Sequence, residues 1–594
     1  MNNKPSLTAI YTALACTILS LLTFGYLFNG EPNLIQVLPF AFKSADPSLF
    51  PHDFFVASAS SFPSFYPYLL GKALAVFGIY KFHFIAYVLT RFAVLWLTFL
   101  LAFELFGKTE IAVLSCVLAA ASPFCNMLTL LGEDPILKTA FFQTSLAAPM
   151  VLGALLLFLR KRYIAALLIT AGIYYINGLA ANFAAALLFA ASLSGEDKKE
   201  KIRAWLCFAA AVAPAMIYYA GLKNIYGGES AQFMPLLRQW YAGHYFPHSW
   251  PAQRWERIIT FALLLTAVFN FTLPLGKHEK TEKRFLLCFG ALWLAAYLFS
   301  EILPCGKITV LQLFRSDSVF FLLAVIHCAA AVFLLLEKGD MKHAGAAALL
   351  ILSLTEMTPP YYAAAAALGA LTLAKFPERT FRIAGLAGAA ASVLFLFTLP
   401  LKIKALSAAA IFGLMLAEKP LPRAKYILVC VLGLAQLSPL WLERMKTFDF
   451  QDTEPVLISW RQTQLWARDN TPKDSIFLTP PELNGFRVES RRTPVFEWID
   501  AAAMHWAPGY ETLWHKTLRA TRAQYRQLEK SPDDYQRYAL EPSGDFGNLI
   551  RRYAINYVIV FRSNVLPLPV VYQNGTFTVY DTASILKADR SKSP

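Results

Sequence analysis

Residues 43–55 read KSADPSLFPHDFF, and they set Asp46, His52 and Asp53 into a chain that is otherwise apolar on both sides. The side of a membrane that this stretch faces decides how the rest is read. Before it, an apolar run over 8–28 follows a single basic residue, Lys4, and no small-residue cleavage site comes after it. A run of about 20 apolar residues crosses a bilayer core of about 30 Å, so this one is read as the first transmembrane helix. The composition agrees: 594 residues, 57% hydrophobic and 16% charged, are too apolar for one soluble core and too long for one domain.

Further apolar runs predict spans at 82–106, 110–131, 142–159, 163–176, 178–194, 204–221, 258–276, 285–303, 319–336, 344–357, 361–375, 383–399, 402–417 and 425–443. The expectation is therefore a mainly α polytopic membrane protein of about 13–15 transmembrane helices. Basic clusters at 160–162, 198–203, 277–284, 338–342, 375–382 and 419–425 fall at every second connection, which the positive-inside rule places in the cytoplasm with the N-terminus. The connections 29–65, 131–141, 177–182, 222–257, 304–318 and 357–360 then face outward, and the opening stretch with them. Residues 65–80, FYPYLLGKALAVFGIY, read as an interfacial helix. After the membrane domain, 1–443, the composition turns polar, and β-like runs SIFLTP, YVIVF and FTVYD with helical stretches near 454–468 and 515–530 predict an external α/β domain over 444–594. Asn574-Gly575 between two alternating runs reads as a hairpin turn.

Several function classes fall away. Lys+Arg number 54 against 39 Asp+Glu, but the basic residues are scattered between apolar runs, so no nucleic-acid partner is expected. The eight cysteines show no CxxC spacing and none follows Cys430, so neither a disulfide framework nor a zinc site is implied. No Walker loop, dinucleotide fingerprint or H-E-x-x-H pattern is present.

Acids beside spans are informative because a charge at the bilayer centre costs about 2.5–3.5 kcal/mol on insertion scales. Outward-facing ones are Asp46, Asp53, Glu133, Asp134, Glu229, Glu301, Asp317 and Glu356. Solvated loops explain many such acids, but FPHDFF embeds Asp53 among aromatics, where desolvation drives a carboxyl toward a useful base. In GKITVLQLFRSDS, Lys307, Gln312 and Arg315 come together, and an Arg fork with a Lys suits phosphate oxygens; the competing reading is an anchor on lipid headgroups. The stretch 238–258, with Trp240, Tyr241 and His244, is either an aromatic belt or a platform for a sugar or isoprenoid. His244 and His248 are four apart, but Pro247 breaks a shared helix face and they read as surface residues. Arg91, inside a span, reads as a structural pair or snorkel.

In order of features the chain resembles the GT-C membrane glycosyltransferases, a group that includes oligosaccharyltransferases, protein mannosyltransferases and aminoarabinose transferases. The resemblance rests on DPSLFPHDFF in the first outward loop, GEDP in the second, LQLFRS as a phosphate-contacting loop and the C-terminal α/β domain. It implies an inverting displacement in which a polyprenyl-phosphate or diphosphate sugar gives its sugar to a glycan, lipid or protein acceptor. Asp53 or Asp46 would be the base, Glu133 and Asp134 would orient the acceptor, and Arg315, Lys307 and Gln312 would hold the donor phosphate. Asn177, in YYINGLAANF, would bend toward the site, with Trp240, Tyr241 and His244 on the substrate. Asp53, Glu133 and Asp134 would hold Mg2+ or Mn2+ if a metal is used. The expected location is the inner membrane, with the C-terminal domain periplasmic or extracellular. The competing classes are a transporter or flippase, which predicts ionisable groups at membrane depth, and a polymerase or ligase for lipid-linked glycans.

Overall fold

Long apolar runs have no water to satisfy their backbone within a bilayer, so they close their hydrogen bonds internally as helices. The computed structural model describes residues 6–28, 31–193, 196–338, 341–355, 454–528 and 536–587. Six helices there are long and apolar enough to cross a membrane: Leu7–Phe24, Ile79–Phe106, Lys198–Ala220, Ala252–Leu275, Glu279–Ile302 and Gly306–Glu337. They make the chain a polytopic membrane protein. Shorter apolar helices, Thr109–Ala121, Gln143–Leu159, Tyr163–Tyr174, Gly178–Ser192 and Ala346–Thr355, fall where further spans were predicted. At 1.5 Å per residue the shortest, Ala346–Thr355, reaches about 15 Å, less than the bilayer core. The predicted spans at 361–375, 383–399, 402–417 and 425–443 lie outside the described residues.

One predicted span ends early. The run 110–131 is helical only to Ala121, because Ser122 is extended and Pro123 starts a separate turn, Pro123–Asn126. Asn126 closes the break by donating its Nδ2 to the carbonyls of Ala119 and Ser122, both at 2.8 Å.

Chain contacts define two compact units, one of 1–26, 84–213 and 241–448, the other of 27–83, 214–240 and 449–594. In the first, Asp317–Glu337 is the central helix, packed on Thr109–Ala121, Ala252–Thr272 and Met341–Thr355. Two groups of its buried polar side chains are tied together. The Arg91 guanidinium donates to Ser20 Oγ, to Asn126 Oδ1 at 2.7 Å and to the Lys138 carbonyl at 2.6 Å. His327 lies 2.8 Å from Glu282 and 2.7 Å from Thr272 Oγ1.

The second unit is built on a five-stranded sheet. Its strands are β1 (Ile476–Leu478), β2 (Thr493–Pro494), β5 (Tyr557–Phe561), β6 (Val570–Gln573) and β7 (Phe577–Asp581); β3 (Tyr525–Gln527) and β4 (Tyr538–Leu540) form a separate antiparallel pair. The order is β2-β1-β5-β7-β6, with β1 parallel to β2 and β5, and β7 antiparallel to β5 and β6. Strand β5 is central and covered on both faces, which is why YVIVF is continuously apolar rather than alternating. Asn574 makes the β6–β7 turn, its Oδ1 accepting from the N–H of Thr576 and Phe577. The helix expected over 515–530 instead spans Tyr510–Arg522, because Tyr525–Gln527 leaves it to pair with Tyr538–Leu540.

Candidate functional site

In the first unit the stretch 129–134 is fastened by groups from distant segments. Asp317, fully buried at the head of its helix, accepts from Thr129 Oγ1 at 2.8 Å and from the N–H of Leu131 and Gly132 at 2.8 and 2.9 Å. Gly132 lies so close to the 314–315 backbone that an added Cβ would stand 2.4 Å from Arg315 Cα. Arg254 completes the fastening, donating to the carbonyls of Leu130 and Leu131 and, at 2.6 Å, to Glu133 Oε1, while it stacks over Trp250 at 4.1 Å. This holds Glu133 at a positive φ of 53°. His244 Nδ1 is 3.3 Å from Glu133, but burial and the Arg315 and Arg254 charges push the imidazole down to about 4, so it is neutral at pH 7 and forms no ion pair.

That fastening brings Asp134, Asn177 and Arg315 to one cavity of about 50 Å³. Asn177 caps the helix Gly178–Ser192, accepting from Ala180 N–H and donating to Thr144 Oγ1 at 2.9 Å. Asp134 is paired with Lys138. Burial pushes its carboxyl up, but Lys138 and Arg315 together hold it below the usual range, so it is ionised at neutral pH. The Arg315 guanidinium has no hydrogen-bond acceptor among the described residues. The lining also includes the apolar Ala148, Val151, Leu179 and Phe183. Gln312 sits at φ 50° and bonds the Tyr245 hydroxyl, whereas Lys307 is exposed and outside the cavity wall.

The first-loop acids belong to the second unit. Asp53 caps the helix Phe54–Ala57 through the Val56 N–H at 3.0 Å, and it takes both Nε (2.6 Å) and NH2 (3.2 Å) of Arg487. Arg487 also donates to Glu497 Oε2 at 2.6 Å and to both oxygens of Asp500. One guanidinium thus faces three buried carboxylates, and burial pushes Glu497 and Asp500 up more than Arg487 draws them down. Asp46 is exposed; Ser48 and Lys473 hold its carboxyl down to about 2. Trp240 packs on Trp498 and Trp514, at 5.0 and 5.6 Å.

The carboxylates expected to hold a divalent metal do not suit one. Asp53, Glu133 and Asp134 are each occupied by a cationic side chain, Arg487, Arg254 and Lys138, which an ion would have to displace. Sequence reasoning missed Arg254, Arg487 and Asp317 as organisers, since their partners are backbone groups or lie far off in the chain.

Fold and site together define a polytopic helical membrane protein with a small α/β sheet region near its C-terminus. Residues 458–519 match a family model described as a domain of unknown function (DUF6798). Among solved structures the chain is similar to ArnT from Cupriavidus metallidurans bound to undecaprenyl phosphate, at 12% identity and TM-score 0.43, covering 98% of this chain and 99% of that one. It is also similar to the apo state of the same protein, at 13% identity and TM-score 0.42, covering 98% of each chain. Among curated proteins no sequence matches it.

Proposed function

We propose that the protein is an integral membrane glycosyltransferase that moves a sugar from a polyprenyl-phosphate or diphosphate carrier to an outward-facing acceptor. The observation that carries this reading is Arg315, a half-buried guanidinium without a hydrogen-bonded acceptor among the described residues, on a cavity lined by both polar and apolar side chains. A forked cation suits a phosphate leaving group, and the apolar lining suits the first units of an isoprenoid chain.

In one displacement the acceptor hydroxyl bonds to the anomeric carbon as the bond from that carbon to the phosphate oxygen breaks. The electron pair leaves on the phosphate, where Arg315 stabilises it. The hydroxyl proton passes to a carboxylate, and Asp134, the acid on this cavity, is the one we assign. Attack opposite the leaving group inverts the anomeric centre. Asp53, clasped by Arg487, and Asp46, paired with Lys473, are assigned to holding the second unit together. The basic connections set the active face outward, at the inner membrane.

The test is transfer of labelled sugar from polyprenyl-phosphate donors in membranes carrying wild type, Arg315→Ala, Asp134→Asn and Asp53→Asn at equal protein levels. Arg315→Ala is expected to lower kcat/KM about 10²-fold and Asp134→Asn to lower kcat about 10²–10⁴-fold. Full activity in both would remove this cavity from the chemistry. A transporter of lipid-linked glycans is the second reading, favoured by Arg91 and the Glu282–His327 pair, all buried. Carrier movement across vesicles without sugar transfer would select it.

A further inference from the structure

A larger cavity, about 410 Å³, lies wholly within the second unit. Its walls bring together side chains from four separate segments: His52 and Phe54, Asp500, Lys516 on the helix Tyr510–Arg522, and Arg552 at the end of the helix Phe546–Arg552. Their chemistry is sorted. Asp53 and Asp500, on the wall, are engaged by Arg487, which lines the cavity with them. Lys516 and Arg552 are exposed cations, and neither has an ion-pair partner among the described residues. Two such cations on one concave surface repel each other unless an anion lies between them. Phe54 is half exposed although aromatic, and a planar ring on the wall of a cavity is a surface on which the C–H face of a sugar packs. The volume falls in the range of small-molecule sites, roughly 300–1,000 Å³.

We infer that this cavity is a binding site for an anionic saccharide, whose acidic group bridges Lys516 and Arg552, whose ring lies on Phe54 and whose hydroxyls meet Asp500. The Lys supplies a point charge and the Arg a fork, a pair that accepts either a carboxylate or a phosphate on the sugar. The site stands whether or not the protein transfers glycosyl groups.

Isothermal titration of the purified full chain in detergent with glucuronate, glucose 6-phosphate and neutral glucose tests it. Both anions are expected to bind and glucose to bind about tenfold or more weakly; the stronger anion shows whether carboxylate or phosphate is the natural group. Lys516→Gln and Arg552→Gln, both at exposed positions, are each expected to weaken anion binding about tenfold, while Lys516→Arg keeps it and Lys587→Gln, outside the cavity, leaves it unchanged. Equal affinity for glucose, unchanged binding in both Gln variants, or no anion binding up to about 10 mM would overturn the inference.

Discussion

Gly132 carries no side chain because there is no room for one, and the obstruction is backbone rather than a flexible side-chain end. Gly132→Ala should therefore force 131–134 away from 314–315 and lower stability by about 1–3 kcal/mol, read from thermal melts of the purified protein. A melt equal to wild type would show that the two stretches are not held in register here. Asp317 is the companion case. Asp317→Ala leaves the N–H groups of Leu131 and Gly132 without their acceptor, at about 1–3 kcal/mol for each buried group stranded, and should displace Asp134 with them. At this scale the sequence exposed what was rare: acids next to spans, and an Arg fork among apolar residues, drew attention to Asp134 and Arg315. It hid Arg254, three of whose four acceptors are carbonyls, because a backbone acceptor leaves no mark in residue identity.

The short helix Phe486–Ser490 matters for one side chain, Arg487, about which three carboxylates from two segments are arranged. Arg487→Met strands those carboxylates in the interior and should cost about 3–5 kcal/mol. The same cluster sets a pH dependence. Glu497 and Asp500 have folded pKa values above their unfolded ones, so the folded state holds more protons at mildly acidic pH. Their contribution is complete below the ordinary carboxyl range, near about pH 4, and is lost as pH rises through the folded values. Melting temperature should fall on going from about pH 5 to pH 8, and Glu497→Gln should flatten that decline; a variant with the wild-type slope would place the titrating group elsewhere. Elements were legible where one interaction range decides them. YVIVF and FTVYD became β5 and β7 because strand propensity and burial agree. Residues 523–530 were read as helix because the pairing that draws Tyr525–Gln527 into a strand comes from Tyr538–Leu540, beyond any local pattern.

At the scale of the molecule, composition was enough to say polytopic, and its turn to polar near 444 led to reading the last segment as a domain of its own. What it could not give was membership. Residues 27–83 and 214–240 are grouped with 449–594, since Phe40, Phe55 and Phe62 surround Trp506, and Tyr226 meets Tyr510. A fragment of 449–594 expressed alone lacks those rings and Asp53, one of the three carboxylates that face Arg487. It is expected to bind hydrophobic dye and to melt without a cooperative transition; a monodisperse fragment with a sharp melt would show that this segment is self-sufficient.

Asp53 and Arg487 are separated by 434 residues. At a synthesis rate of about 5–20 residues per second, the first leaves the ribosome roughly 20–90 s before the second exists. Through that interval the carboxylate and the phenylalanines beside it wait uncovered. The second unit is thus completed only after its last segment has been made, and the period in which a chaperone or a protease can intervene is set by the length of the intervening chain rather than by the stability of the finished fold.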